Sequence, residues 1–112
     1  MKTGELTGAA LDWIVTHLEG VKTYGVKDWL GQRPRAKECR WSTNWEQGGP
    51  IIEREIAKIE RFSDALWEAT AYTKNAQDYV QSGPTPLVAA MRCYVASKLG
   101  YEVEIPKELQ PI

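Results

Sequence analysis

The sequence is poor in several residues on which common functional sites depend. Its 112 residues include one histidine, one phenylalanine and two cysteines. Cys39 and Cys93 are too few and too far apart for a disulfide framework, so we expect free thiols in a reducing compartment. With His17 they do not reach the four ligands of a structural zinc site, and the sequence predicts no metal site and no cofactor.

An excess of one charge sign and long apolar runs are also missing. The formal net charge is −1 at pH 7, whereas nucleic-acid-binding domains are usually clearly basic. The sequence contains no run of about eighteen apolar residues, so it predicts no membrane span. The first residues lack the apolar region of a signal peptide. These absences together predict a cytoplasmic protein.

Apolar and aromatic residues are plentiful in this short chain. Hydrophobic residues make up 43% and charged residues 26%, which is close to the globular average. The length is that of one domain, so we expect residues 1–112 to form a single domain with one core. Five tryptophans are more than the core of such a domain needs, and one or two are expected on a contact surface.

A helix is predicted near each end of the chain. Near the N-terminus, Thr7 is the predicted cap of a helix over Gly8–Glu19, and Gly20 ends it. Helical spacing places its apolar residues and His17 toward the core. The same spacing places three polar residues on the opposite face: Asp12, Thr16 and Glu19.

The strongest local pattern predicts a helix over Thr85–Leu99. Thr85 caps it, Pro86 takes the first helical position, and Gly100 follows the last turn. The side away from its apolar stripe carries small residues, namely Ala89, Ala90, Cys93 and Ala96. A small-residue face favours close approach, either by another part of the domain or by a second copy of the chain.

Between these helices, the first half of the chain gives mixed patterns. Val21–Gly31 fits a short strand or an ordered loop, and polar Gln32–Arg40 fits an exposed loop. Trp41–Pro50 is predicted to be irregular. Pro50 is expected to begin a short helix over Ile51–Glu55.

The second half predicts a small sheet. Ile56–Phe62 and Leu66–Thr73 fit two strands joined at Ser63–Asp64, although Ile56–Phe62 also fits a continuing helix. Lys74–Ser82 is predicted to be a loop, and Tyr101–Ile105 an edge strand. The fold class is therefore α+β, with a small, mainly antiparallel sheet packed against the N-terminal and C-terminal helices.

The segment around Trp41–Pro50 is the main candidate site. Two tryptophans flank hydroxyl and amide groups, and a Gly-Gly-Pro turn leads into a helix N-terminus, which can hold an anion. The structural alternative is that these residues satisfy a turn and pack together. The candidate binding residues are Trp41, Ser42, Asn44, Trp45, Gly48, Gly49, Glu53 and Arg92.

A basic segment supplies a second candidate site. Arg33, Arg35, Lys37 and Arg40 precede Trp41, and cations beside an aromatic ring suit single-stranded nucleic acid. The alternative is a solvated loop. Glu53-Arg54-Glu55 is typical of a salt-bridged surface, and no catalytic set can be assembled, so enzymatic function is not favoured.

Three ordered blocks of sequence resemble the NinX-like family of small lambdoid phage and prophage proteins. They are Leu6–Trp13, then Ser42–Trp45 with Gly48–Glu53, then Pro84–Leu87 with Ala90–Val95. The resemblance implies an accessory phage protein in the host cytoplasm, and it supplies no activity. It also implies a relation to phage domains with an α-β-α sandwich.

The sequence thus favours a non-enzymatic protein that binds a phage or host macromolecule. The alternatives are a single-stranded nucleic-acid accessory protein that uses Arg33–Arg40, and a small-ligand or enzymatic site at Trp41–Pro50.

Overall fold

The structure is a computed structural model that describes residues 1–20, 39–73, 77–105 and 107–109. The prediction for Val21–Gly31 and most of that for Gln32–Arg40 lie outside these residues. The described part has three α-helices, which are α1 (Gly8–Leu18), α2 (Trp45–Glu55) and α3 (Pro86–Leu99). It has one sheet of three strands, which are β1 (Lys58–Ser63), β2 (Leu66–Tyr72) and β3 (Asp78–Gly83). Short 3₁₀ turns lie at Thr3–Glu5 and Lys107–Leu109.

The predicted α+β fold class is confirmed. The sheet is antiparallel in the order β1-β2-β3, and α3 packs directly on it. Helices α1 and α2 pack on α3, so α3 lies between them and the sheet. No helix in the described ranges is long and apolar enough to cross a membrane.

Helix α3 is the centre of the core, as its local pattern predicts. Thr85 Oγ1 accepts a hydrogen bond from Val88 N at 3.1 Å, Pro86 begins the helix, and Gly100 ends it with a φ of 90°. The small-residue face is fully buried within the chain. Cys93 Sγ, for example, donates to Tyr79 O of β3 at 3.1 Å. The sheet therefore supplies the second contact predicted for this face.

Helix α2 corrects the prediction of an irregular Trp41–Pro50 segment. It begins at Trp45, and the predicted start at Pro50 is therefore wrong. Glycine and proline usually interrupt helices. Here the Asn44 side chain caps the helix by accepting from Glu46 N at 2.8 Å, and Gly48 and Ile51 are buried. Capping and burial stabilise the helix despite the bond that proline removes.

The sheet confirms two predicted strands and corrects one loop. Residues 56–57 leave α2 in extended conformation, so the helical alternative for Ile56–Phe62 is wrong. The prediction of a loop over Lys74–Ser82 is wrong from Asp78 onward, because β3 pairs with β2 there. Only one face of β3 packs against α3, and it does so through the half-buried Tyr79 and Gln81. The other face is exposed and carries polar residues, so the strand has few apolar residues by which to recognise it.

The segment Tyr101–Ile105 forms no strand of the sheet. It pairs with the first residues of the chain instead, through an isolated bridge between Lys2 and Glu102. Val103 N donates to Met1 O at 2.9 Å, and Thr3 N donates to Tyr101 O at 2.8 Å. The two ends of the described chain are thereby held together.

Candidate functional site

Trp41 and Ser42 fasten the candidate segment to α1. Trp41 Nε1 donates to Thr16 Oγ1 at 2.9 Å, and Thr16 Oγ1 donates to Asp12 O at 2.7 Å. Ser42 N donates to the Asp12 carboxylate at 2.9 Å. Asp12 and Thr16 are buried, so their predicted placement on a solvent-facing side of α1 is wrong. Their partners, Ser42 and Trp41, lie 30 and 25 positions later in the chain, and helical spacing does not reveal such distant contacts.

The Asp12 carboxyl is held in an environment that disfavours its charge. Burial raises its pKa, and this effect exceeds the opposing effects of the Ser42 backbone and side chain and of Arg40. The Ser42 hydroxyl is buried and makes no hydrogen bond of good geometry with the residues that the structure describes, although it lies near this carboxyl. The pair stabilises the attachment of the segment to α1 and lies away from solvent.

Asn44 and Gly48 position α2. Asn44 is the cap described above, and Gly48 is buried against the neighbouring helix and turn. A Cβ at Gly48 would lie 2.5 Å from Leu87 Cδ2 and 2.5 Å from Trp41 O. Only glycine permits this approach without displacing its neighbours. Both residues therefore have structural roles in the described contacts.

Three of the predicted site residues share one exposed stripe of α2. Trp45, Gly49 and Glu53 are spaced four residues apart, so they lie one above another along the helix. We call these three residues the α2 stripe. Trp45 is 55% exposed, and a Cβ at Gly49 would meet no atom of the described residues within 4 Å apart from the backbone of its own helix. Glu46 is exposed beside Trp45 and makes the surroundings of the stripe acidic.

Arg92 does not join this segment. Its Nε donates to Leu6 O at 2.6 Å and its Nη1 donates to Ser82 O at 2.9 Å. The guanidinium is half-buried, and burial lowers its pKa. It connects α3 to Leu6, which lies two residues before α1, and to Ser82 of β3.

Arg40 is the only member of the predicted basic set within the described residues, since Arg33, Arg35 and Lys37 lie outside them. Its side chain is exposed. Its carbonyl accepts from Thr43 N at 3.1 Å and from Asn44 N at 2.8 Å. The resulting turn leads directly from Arg40 to Trp45.

His17 is exposed, so the prediction that it faces the core is wrong. Its ring packs on Trp13 with centroids 4.1 Å apart, and Nδ1 lies 3.0 Å from Trp13 O. Within the ranges that the structure describes, no group of three His, Cys, Asp or Glu residues could hold a metal ion.

A network of charged residues that sequence patterns did not group joins the three helices. Arg54 pairs with Glu19 at 2.7 Å and with Glu55 at 3.0 Å, and Lys98 pairs with Glu55 at 2.9 Å. Tyr94 donates its hydroxyl to Glu19 at 2.5 Å. Lys98 lowers the pKa of Glu55, and burial followed by the Glu19 contact raises that of Tyr94. The network holds α2 in a fixed position on α1 and α3.

Comparison with known proteins identifies the group to which this chain is related. A family model of bacteriophage proteins matches residues 2–98, which is most of the chain. The protein is therefore a phage accessory protein. The family is the one described as Bacteriophage P22, NinX, and the chain belongs to it, which confirms the resemblance seen in the sequence. The curated proteins contain no match.

Proposed function

We propose that this phage accessory protein is a non-enzymatic binding protein in the host cytoplasm, and that its α2 stripe contacts a phage or host protein. The observation that carries the proposal is the 55% exposure of Trp45 on a well-anchored helix. Tryptophan is enriched among the residues that dominate binding energy at protein interfaces.

The anchoring of α2 supports this proposal. The Asn44 cap, the Gly48 contact with Leu87 and the ion pairs of Glu55 hold the helix at both ends. A rigid element presents its side chains with little loss of entropy on binding. Gly49 has no side chain, so there is open space next to its backbone between Trp45 and Glu53.

The charges beside Trp45 indicate the character of the partner. Glu53 of the stripe is exposed, and so is Glu46, which follows Trp45 in the chain. Carboxylates attract cationic residues and repel phosphates. We therefore expect a protein surface that offers an apolar pocket flanked by Lys or Arg.

The test is affinity capture from phage-infected host cells, with nuclease treatment before elution. We expect the wild-type chain to capture a discrete protein partner. Trp45→Ala is expected to weaken the binding free energy for this partner by at least about 2 kcal/mol, which raises Kd roughly thirtyfold. Tyr101→Ala is the matched control, since Tyr101 is also an exposed aromatic residue but lies outside α2. Equal capture by the wild type and Trp45→Ala would contradict the proposal.

One observation favours a second candidate function, a single-stranded nucleic-acid accessory role. Arg40 is exposed at the turn that leads to Trp45, so a cation and a stacking ring lie close in the chain. Binding of a single-stranded oligonucleotide that weakens with salt and with both Arg40→Ala and Trp45→Ala would support this role. No binding at low salt would exclude it.

The small-ligand or enzymatic alternative at Trp41–Pro50 has less support. Trp41 and Asn44 use their side-chain polar groups, and Ser42 its backbone N–H, in contacts that hold α1 and α2, and the Ser42 side chain is buried. Their chemistry is therefore committed to structure, and we prefer the protein-binding proposal.

A further inference from the structure

The outward face of the sheet carries an unusual set of exposed side chains. Residues alternate between faces along each strand, and Ala69 and Ala71 of β2 are buried toward α3. The opposite face, which we call the outer sheet face, therefore carries Leu66, Glu68, Thr70 and Tyr72 of β2, with their neighbours on β1 and β3. Seven large hydrophobic side chains are exposed in the described residues, and three of them, Leu66, Tyr72 and Val80, lie on this face at 41–61% exposure. A fourth, Phe62, is exposed next to Leu66 at the end of the face, where the β1–β2 register shifts.

These four side chains lie in two pairs at opposite ends of the face. Phe62 and Leu66 flank the β1–β2 turn, where Ser63 pairs with Leu66. At the other end, Thr70 pairs with Val80, which places Val80 diagonally next to Tyr72. Leu66 and Tyr72 are six residues apart on one strand, which separates the two apolar pairs by about 20 Å.

An acidic row lies between the two apolar pairs. Glu60 pairs directly with Glu68 across β1 and β2, and Glu68 pairs with Ser82 on β3. Like charges directly opposite each other destabilise a sheet. Lys58 forms an ion pair with Glu60 and is the one cation on this face of the three strands. The face has three acids, Glu60, Glu68 and Asp78, so its net charge is −2.

We infer that the outer sheet face docks a basic amphipathic segment of a partner protein, with apolar residues at both ends and Lys or Arg between them. The apolar pairs would bury the two ends of the segment, and the acidic row would pair with its cations. A second copy of the chain fits less well, because stacking two such faces would bring their acidic rows together. The site is separate from the α2 stripe, so either can fail without the other.

The test uses a synthetic peptide as the probe. A helix of about 14 residues spans 20 Å, and the probe carries Leu at both ends and Lys in the middle. Its titration into the labelled full chain is followed by amide chemical shifts. We expect shifts concentrated on β1, β2 and β3. A peptide of the same design with Glu in place of Lys is expected not to bind.

The variants separate charge from fold. Glu60→Gln with Glu68→Gln is expected to weaken the peptide about tenfold, which corresponds to 1.4 kcal/mol. Glu5→Gln with Glu104→Gln is the matched control, since both residues are exposed and lie outside the sheet, and it should bind like the wild type. Trp45→Ala should also leave the peptide affinity unchanged.

Three results would overturn the inference. One is unchanged affinity in the Glu60 and Glu68 double variant with its fold intact by circular dichroism. Another is a set of shifts confined to α2. The third is a concentration-dependent dimer, seen by sedimentation, that Phe62→Ser with Val80→Ser abolishes, because this would assign the face to a second copy.

Discussion

Replacement of Asp12 tests how the candidate segment is attached to α1. In Asp12→Ala, Ser42 N loses its acceptor at 2.9 Å while remaining in a buried environment. An unsatisfied buried donor costs roughly 1–3 kcal/mol. For a chain of this length, about 1 kcal/mol corresponds to about 4 °C in Tm, so we expect Tm to fall by roughly 4–12 °C.

Asp12→Asn separates the hydrogen bond from the charge. The amide oxygen still accepts from Ser42 N, but it carries no charge that burial would disfavour. Burial raises the pKa of Asp12 in the folded state above the ordinary value of 3.8. The folded state therefore binds the proton more tightly than the unfolded state does. The protonated carboxyl makes its full contribution to the free energy of unfolding at low pH, and this contribution is lost as pH rises through the pKa of the folded state. We expect Asp12→Asn to remove this loss and to be at least as stable as the wild type at pH 7.

The assay is urea unfolding followed by far-ultraviolet circular dichroism between pH 3 and pH 8 for the wild type and both variants. Asp64→Ala is the control, because this carboxylate is exposed and its pair with Arg61 is worth about 0–1 kcal/mol. If Asp12→Ala were as stable as Asp64→Ala, or if Asp12→Asn kept the wild-type pH dependence, the role assigned to the Asp12–Ser42 contact would be refuted.

Three further predictions concern packing and access. Gly48→Ala should lower the free energy of unfolding by about 1–3 kcal/mol, because the new Cβ would clash with Leu87. Gly49→Ala should raise it by about 0.5–1 kcal/mol, because alanine favours the helix and its Cβ meets no such contact. Equal stability of the two variants in urea unfolding would count against the Gly48 contact. Arg92→Ala should lower the free energy of unfolding by about 1.5–3 kcal/mol, because it removes the hydrogen bonds to Leu6 O and Ser82 O. A thermal melt that matches that of the wild type would show that these bonds do not stabilise the fold. Burial raises the pKa of Cys93 to about 12, so in a Cys39→Ser background Ellman's reagent at pH 8 should react only after unfolding; fast reaction of the folded protein would disprove that burial.

Features determined by nearby residues could be predicted from the sequence. Helix α3 is an example, because its cap Thr85, its first residue Pro86 and its final Gly100 all act within a few positions. The first two strands are another, since their residues favour extended structure. Recognition of the family likewise rested on short, ordered blocks of sequence.

Features that depend on distant contacts could not be predicted. The start of α2 at Trp45 depends on packing of Gly48 against Leu87, which outweighs the local glycine and proline pattern. The burial of Asp12 depends on Ser42, thirty residues later. Because the predicted helix begins only at Pro50, it includes Glu53 but not Trp45 or Gly49, and the stripe that the three residues share is seen only in the structure.

The central claim, that the α2 stripe contacts a partner protein, is tested most directly by site-specific photo-cross-linking in phage-infected cells. A benzophenone amino acid is placed at position 49, since a Cβ there meets no atom of the described residues within 4 Å apart from the backbone of its own helix. We predict one discrete protein adduct that survives nuclease treatment and disappears with Trp45→Ala. The control places the same amino acid at position 5, which is exposed and lies outside α2. The claim would be contradicted if positions 5 and 49 gave the same adducts and Trp45→Ala did not change them.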